Sequence, residues 1–202
     1  MSAVKEPIIL QGTVDQLERA WDQVQLLNCV RDRRVNLRLG FLFAVAFGFQ
    51  TVEGLWKGEA RGLFALALLI ALSLVCWRRV TGRSALGVIA SRRRDRERYR
   101  AGGRYDGNTP FRMELAGGTC RIWFRELRDV VDCRQFRNVV ESEELIYVSG
   151  WRTHGLVLPK ARLTAGSPEE LRAWLRPYVK KWETIEIPVK LKEAMDKTEK
   201  KG

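Results

Sequence analysis

The stretch GLFALALLIALSLVCW, Gly62 to Trp77, carries no charge and only Ser73 as a polar side chain, and it ends against Arg78 and Arg79. A helix over these residues rises about 24 Å, short of the roughly 30 Å of a bilayer core unless Trp77 and Arg78 reach up to the headgroups, and extension past Arg78 or local thinning closes the gap. The preceding stretch, Leu39 to Trp56, is also apolar but holds Gln50, Thr51 and Glu53 near its end. With the short polar link KGEAR between them, the two read as arms of a transmembrane helical hairpin with spans over about 37–56 and 62–79 and a tip from Glu53 to Arg61. Two buried helices of a soluble bundle are the competing reading. The apolar run starts too far into the chain, and lacks a following small-residue cleavage pattern, for a secretory signal peptide.

Arginine placement sets the orientation. Arg31, Arg33, Arg34 and Arg38 precede the hairpin and Arg78, Arg79 and Arg83 follow it, whereas Lys57 and Arg61 at the tip are offset by Glu53 and Glu59. Basic flanks stay in the cytoplasm, so both ends of the chain are expected there, with multi-pass insertion in the cell (inner) membrane. The four cysteines then need no disulfide, and no C-x-x-C pair is present.

Of the formal net charge of +12, most sits past the hairpin: from Arg78 to Arg104 there are ten arginines against Asp95 and Glu97, a local net of +8. Such a juxtamembrane run is attracted to anionic lipid, which makes Arg78, Arg79, Arg92, Arg93, Arg94, Arg96, Arg98 and Arg100 candidate headgroup contacts. The same segment can form a helix that dips Leu86, Val88 and Ile89 into the interface. A solvated topology signal and a nucleic-acid-binding run are the alternatives.

Ahead of the hairpin, EPIILQG reads as a short strand. Thr13 and Gln16 have the spacing of a capping box, and Leu17, Ala20, Trp21, Val24 and Leu27 recur at helical spacing. After the loop AGGRYDGNTP come strand-like segments: FRMEL, TCRIWF, LRDVVDC, FRNVVE, ELIYVSG and HGLVLP, spaced as an antiparallel meander or barrel. One helix follows, with Ser167 as cap, Pro168 at the first position and Glu170 completing Ser-x-x-Glu. The fold class is therefore an α+β membrane protein: a hairpin plus a small antiparallel β-domain closed by a C-terminal helix. The expected organisation is 1–34 strand and amphipathic helix, 35–79 hairpin, 80–104 basic segment, 105–182 β-domain and 183–202 charged tail, the last without fixed structure.

His154 is the sole histidine. Acid–base or nucleophilic chemistry needs an orienting carboxylate and a partner nucleophile, yet no Asp or Glu occurs from Gly150 to Ser167, so His154 reads as an ordinary exposed or capping residue. One histidine without paired ligand spacing does not suggest a metal site. Trp151 beside Arg152 reads as a strand-end aromatic. Pro159 ends the strand GLVLP, and Lys160 and Arg162 lie where the chain turns toward the helix.

The strand and helix before a two-span hairpin, the segment WFRELRDVV with Trp123, Val130 and Val131, and Leu158-Pro159-Lys160 ahead of SPEELRAWL together resemble the YcxB-like proteins, bacterial membrane proteins of uncharacterised function. The resemblance covers about Ile8 to Tyr178 and departs at Phe124 and Arg125, where a Trp-Ser pair would be expected at Trp123. It implies two spans and a cytoplasmic domain similar to a pleckstrin-homology fold, and it supplies no catalytic residue, cofactor or metal. The expected function is non-enzymatic: a tethered β-domain that binds a protein partner or lipid headgroups. A membrane-associated enzyme and a nucleic-acid-binding membrane protein are the alternatives.

Overall fold

A computed structural model describes residues 6–103, 106–150 and 155–199. The fold is α+β, with two long apolar helices and two largely antiparallel sheets. The chain divides into two compact units, one formed by the chain up to Leu27 with Arg93–Ile187, the other by Asn28–Arg92 with the chain from Pro188.

In the first unit, β1 (Ile8–Thr13), β2 (Pro110–Ala116), β3 (Thr119–Phe124), β4 (Glu126–Asp132) and β8 (Leu163–Ala165) form a five-stranded sheet in the order β4-β3-β2-β1-β8. The β-domain therefore includes the N-terminal strand, which lies between β2 and β8. Alternation fixes the faces. Phe111, Met113 and Leu115 of β2 are buried while Arg112 is exposed and Glu114 half-buried. Leu10, paired with Met113, and Cys120, paired with Leu115, are buried with them. A second sheet, β7-β6-β5-β9, comprises β5 (Phe136–Glu141), β6 (Leu145–Gly150), β7 (Leu156–Pro159) and β9 (Lys181–Thr184). Its pairs are antiparallel except β5 with β9, which is parallel. Helix α4 (Pro168–Leu175) has the full reciprocal box: Glu170 N–H donates to Ser167 Oγ at 3.2 Å, and Ser167 N–H donates to Glu170 Oε2 at 2.8 Å. That register turns Leu171 and Leu175 into the core.

Helix α1 (Val14–Trp56) starts where expected, with Thr13 N–H donating to Gln16 Oε1 at 3.0 Å. Its first free N–H groups, on Val14 and Asp15, donate to the carbonyls of Thr109 and Gly107. Leu17, Ala20, Val24 and Leu27 are buried, and Trp21 meets Tyr147 edge-on with centroids 5.8 Å apart. The helix runs unbroken through the boundary expected near residue 34, because no Gly or Pro interrupts it before Gly40 and its arginines are good helix formers, and the two compact units divide within it, between Leu27 and Asn28.

In the second unit, α1 and α2 (Ala60–Val80) form the hairpin. Gly58, at φ +66°, closes the turn, with Glu59 N–H donating to the Gly54 carbonyl at 2.9 Å. The helices touch backbone to backbone there: a Cβ on Gly54 would lie 2.6 Å from Gly62 Cα, and one on Gly62 2.5 Å from Leu55 N. Farther along, a Cβ on Gly40 would lie 3.4 Å from Cys76 Cβ. Gly82, at φ +76°, turns the chain into α3 (Arg83–Ala101), so the basic segment is helical. The tail expected to lack structure forms α5 (Val189–Glu199) instead. Met195 is buried and Leu191 lies over Gly82, so the few apolar residues of the tail find a surface to cover.

Candidate functional site

The outward face of the five-stranded sheet follows from its register. Gln11 stands opposite Arg112, and Arg112 opposite Trp123, giving one row across β1, β2 and β3; Glu114, Arg121 and Val130 form the next. The Arg112 guanidinium lies 5.9 Å from the Trp123 ring centroid and 3.4 Å from Glu114. At the β3–β4 turn Arg125 holds φ 68°, the one left-handed residue other than glycine among the described residues, and its guanidinium reaches Asp106 at 3.0 Å. Gln11, Arg112, Glu114, Trp123 and Arg125 line an open depression of about 780 Å³. Arginine and tryptophan are both side chains enriched where protein surfaces bind partners.

A second cluster is buried. Glu141, 5% exposed, accepts hydrogen bonds from Arg172 Nε at 2.8 Å and Trp182 Nε1 at 3.0 Å, and pairs with Lys160 Nζ at 2.6 Å. Lys160 Nζ also donates to the Ser142 carbonyl at 2.6 Å. Burial by itself raises a carboxyl pKa, but the bonds from Arg172, Lys160 and Trp182 outweigh it and hold Glu141 below the ordinary carboxylate range. Lys160 is thus committed to the core, next to buried Leu158 and Pro159.

The basic run is divided by its helical register. Asp15, Glu18 and Asp22 stand on one face of α1, and Arg93, Arg96 and Arg100 on one face of α3. Asp22, with no exposed surface, receives Arg93 Nε at 3.2 Å and Arg96 Nη2 at 2.8 Å. Arg96 also approaches Glu18 at 3.9 Å, and Arg100 meets Asp15 at 2.8 Å. The other candidate headgroup contacts, Arg92, Arg94 and Arg98 on α3 and Arg78 and Arg79 at the end of α2, are exposed, with Arg98 3.8 Å from Asp95. Trp123 and Val130 face outward from the sheet, whereas Val131 stands opposite buried Cys120. Cys120 and Cys133 are both buried, and desolvation pushes each thiol up to about 12. Trp151, Arg152 and His154 lie outside the described residues.

Sequence reasoning missed Arg112 and Arg125, Glu141 with Arg172 and Trp182, and the acids of α1. The last had a signal: Asp15, Glu18 and Asp22 share the spacing i, i+3, i+7 with Arg93, Arg96 and Arg100. Among the described residues no group of three or more His, Cys, Asp or Glu side chains is placed to hold a metal ion. No family model, no curated protein and no solved structure matches the chain.

Proposed function

We propose that this protein is a non-enzymatic membrane protein of the inner membrane, anchored by the α1–α2 hairpin with both flanks cytoplasmic, whose β-domain serves as a tethered interaction module of pleckstrin-homology type, in line with its resemblance to the YcxB-like proteins. One observation carries the reading. In both α1 and α2 only 11% of the most apolar eighteen-residue stretch is buried, whereas the core helix of a soluble protein would be mostly covered. Phe41, Phe49, Phe64 and Leu74 stand 57–72% exposed. An uncovered apolar surface of that extent on two adjacent helices supports a lipid environment.

Two tryptophans bound it. Trp56 at the tip is 89% exposed and Trp77 near the other end of α2 is 60% exposed. About 26 Å of helix rise separates Ala60 from Trp77, close to the bilayer core, and tryptophans at both limits match interfacial belts. Within the tip the charges cancel locally, Glu53 with Lys57 at 2.6 Å and Glu59 with Arg61, so nothing holds the tip on the side where the arginines stay. The Trp123–Arg112 face of the sheet supplies the contact surface of the module.

A phosphatase that works only outside the cytoplasm tests the topology: it is active when inserted at Gly58 and silent when fused after Tyr178. Activity at neither site, together with release of the protein from membranes by alkaline carbonate, sinks the hairpin reading.

A further inference from the structure

We infer that anionic phospholipid headgroups bind a collar of arginines at the open end of the hairpin, Arg33, Arg34 and Arg38 on α1 with Arg78, Arg79 and Arg83 on α2 and α3, and not the six-arginine run of α3. The inference rests on the membrane reading above and identifies the lipid surface within it.

Three observations place the site. First, half of the α3 run is already used: Arg93, Arg96 and Arg100 pair with Asp22, Glu18 and Asp15. The outward remainder is locally compensated, since Asp95 and Glu97 lie between Arg94 and Arg98, and Asp95 approaches Arg98 at 3.8 Å. Second, all six collar arginines are exposed, and among the described residues none has a carboxylate within ion-pair distance; the nearby Asp32 is taken by Arg31 at 3.1 Å. Third, the two helices bring these residues to one end of the hairpin. The Gly40–Cys76 approach sets Arg38 beside the end of α2, and the Cys29 thiol donates to the Arg79 carbonyl at 3.1 Å. Trp77, at the interfacial limit, immediately precedes Arg78.

The chemistry follows. A guanidinium offers paired N–H donors to phosphate oxygens, and six guanidiniums without competing carboxylates form a positive ring where lipid phosphates lie. Attraction of this kind is additive to first order and screened by salt. The tip, with cancelled charges, offers the opposite leaflet no such ring.

The test uses the full chain reconstituted in phosphatidylcholine discs, with spin-labelled phosphatidylglycerol or spin-labelled phosphatidylcholine as probe. The readout is the ratio of their association with the protein surface. The wild type prefers the anionic probe about fivefold, and the preference falls with rising salt. Arg78→Gln/Arg79→Gln/Arg83→Gln brings the ratio down to about twofold, and Arg33→Gln/Arg34→Gln/Arg38→Gln does the same from the other helix. Arg92→Gln/Arg94→Gln/Arg98→Gln, which removes equal charge, leaves it unchanged.

Equal losses in all three variants overturn the collar and leave only bulk charge; loss confined to the α3 variant moves the site there. A wild-type ratio of one rejects the lipid site while the phosphatase result still stands for the hairpin. If the discs bind a duplex DNA oligonucleotide through Arg78, Arg79 and Arg83 and show no lipid preference, the collar is a nucleic-acid site and the inference fails.

Discussion

Asp22 is completely buried, and Arg96 donates to both of its carboxylate oxygens, at 2.9 and 2.8 Å. With Arg93 as second partner, one acid on α1 holds two cations on α3. Removing one member of a buried pair leaves the others desolvated and uncompensated, at a cost of about 3–5 kcal/mol. Asp22→Ala is therefore expected to lower the thermal midpoint steeply, whereas Arg98→Ala, at a site 81% exposed, stays within about 0.5 kcal/mol of wild type. Similar midpoints for the two variants would show that the pairing contributes little.

Glu141 predicts an acid limb of stability. Its folded pKa is depressed, so its contribution is fully present above the unfolded value of about 4.3 and is lost as pH falls through the folded value. Glu141→Gln leaves Lys160 and Arg172 facing a neutral amide and costs about 3–5 kcal/mol at pH 7. The gap between variant and wild type narrows as the pH is lowered through the acid range. Chemical denaturation at a series of pH values measures it, and a pH-independent gap contradicts the assignment.

The Gly54–Gly62 contact predicts an asymmetric response to added bulk. Gly54→Leu must push the helices apart against a backbone 2.6 Å away, costing about 1–3 kcal/mol in detergent. Gly48→Ala meets nothing within 4 Å and replaces a poor helix former, so stability holds or rises by up to about 1 kcal/mol. Thermal melts followed by circular dichroism compare the two.

Cys120 and Cys133, with thiols raised to about 12, carry almost no thiolate at pH 8 and no exposed sulfur. Maleimide is expected to leave both unmodified in the folded chain and to label both after denaturation, as read by peptide mass spectrometry. Labelling of the native protein at either position contradicts the packing of β3 against the turn after β4.

Local signals carried far along this chain. The Ser167 and Glu170 spacing specified both bonds of a real capping box, and each segment from FRMEL to GLVLP overlaps a strand. What escaped was long-range. KWET, too short and charged for alternation, becomes β9 only because β5 offers a parallel edge. The sequence offers the arginines of α3 as one set of headgroup contacts, since the carboxylates that claim three of them lie 71, 74 and 85 positions away. Trp123 was singled out, but its place on an outward face next to Arg112 depends on a register that no local pattern encodes.

The position of β1 inside its sheet bears on the order in which the chain can acquire structure. Ile9 pairs with Glu114 on one side and Ala165 on the other, so both neighbours are synthesised long after it, and the whole hairpin is made in between. Loop closure over that span must precede any gain from the pairing, which places sheet completion late and makes it slow. Until then Ile8 and Leu10 have no buried environment, and the nascent strand is open to mispairing. A fragment beginning at Ser91 has the mirror-image defect, a gap between β2 and β8 that nothing within it fills. The β-domain is therefore a unit of folding only when β1 is supplied to it, and two pieces of a chain split at the end of the hairpin are expected to regain structure only together.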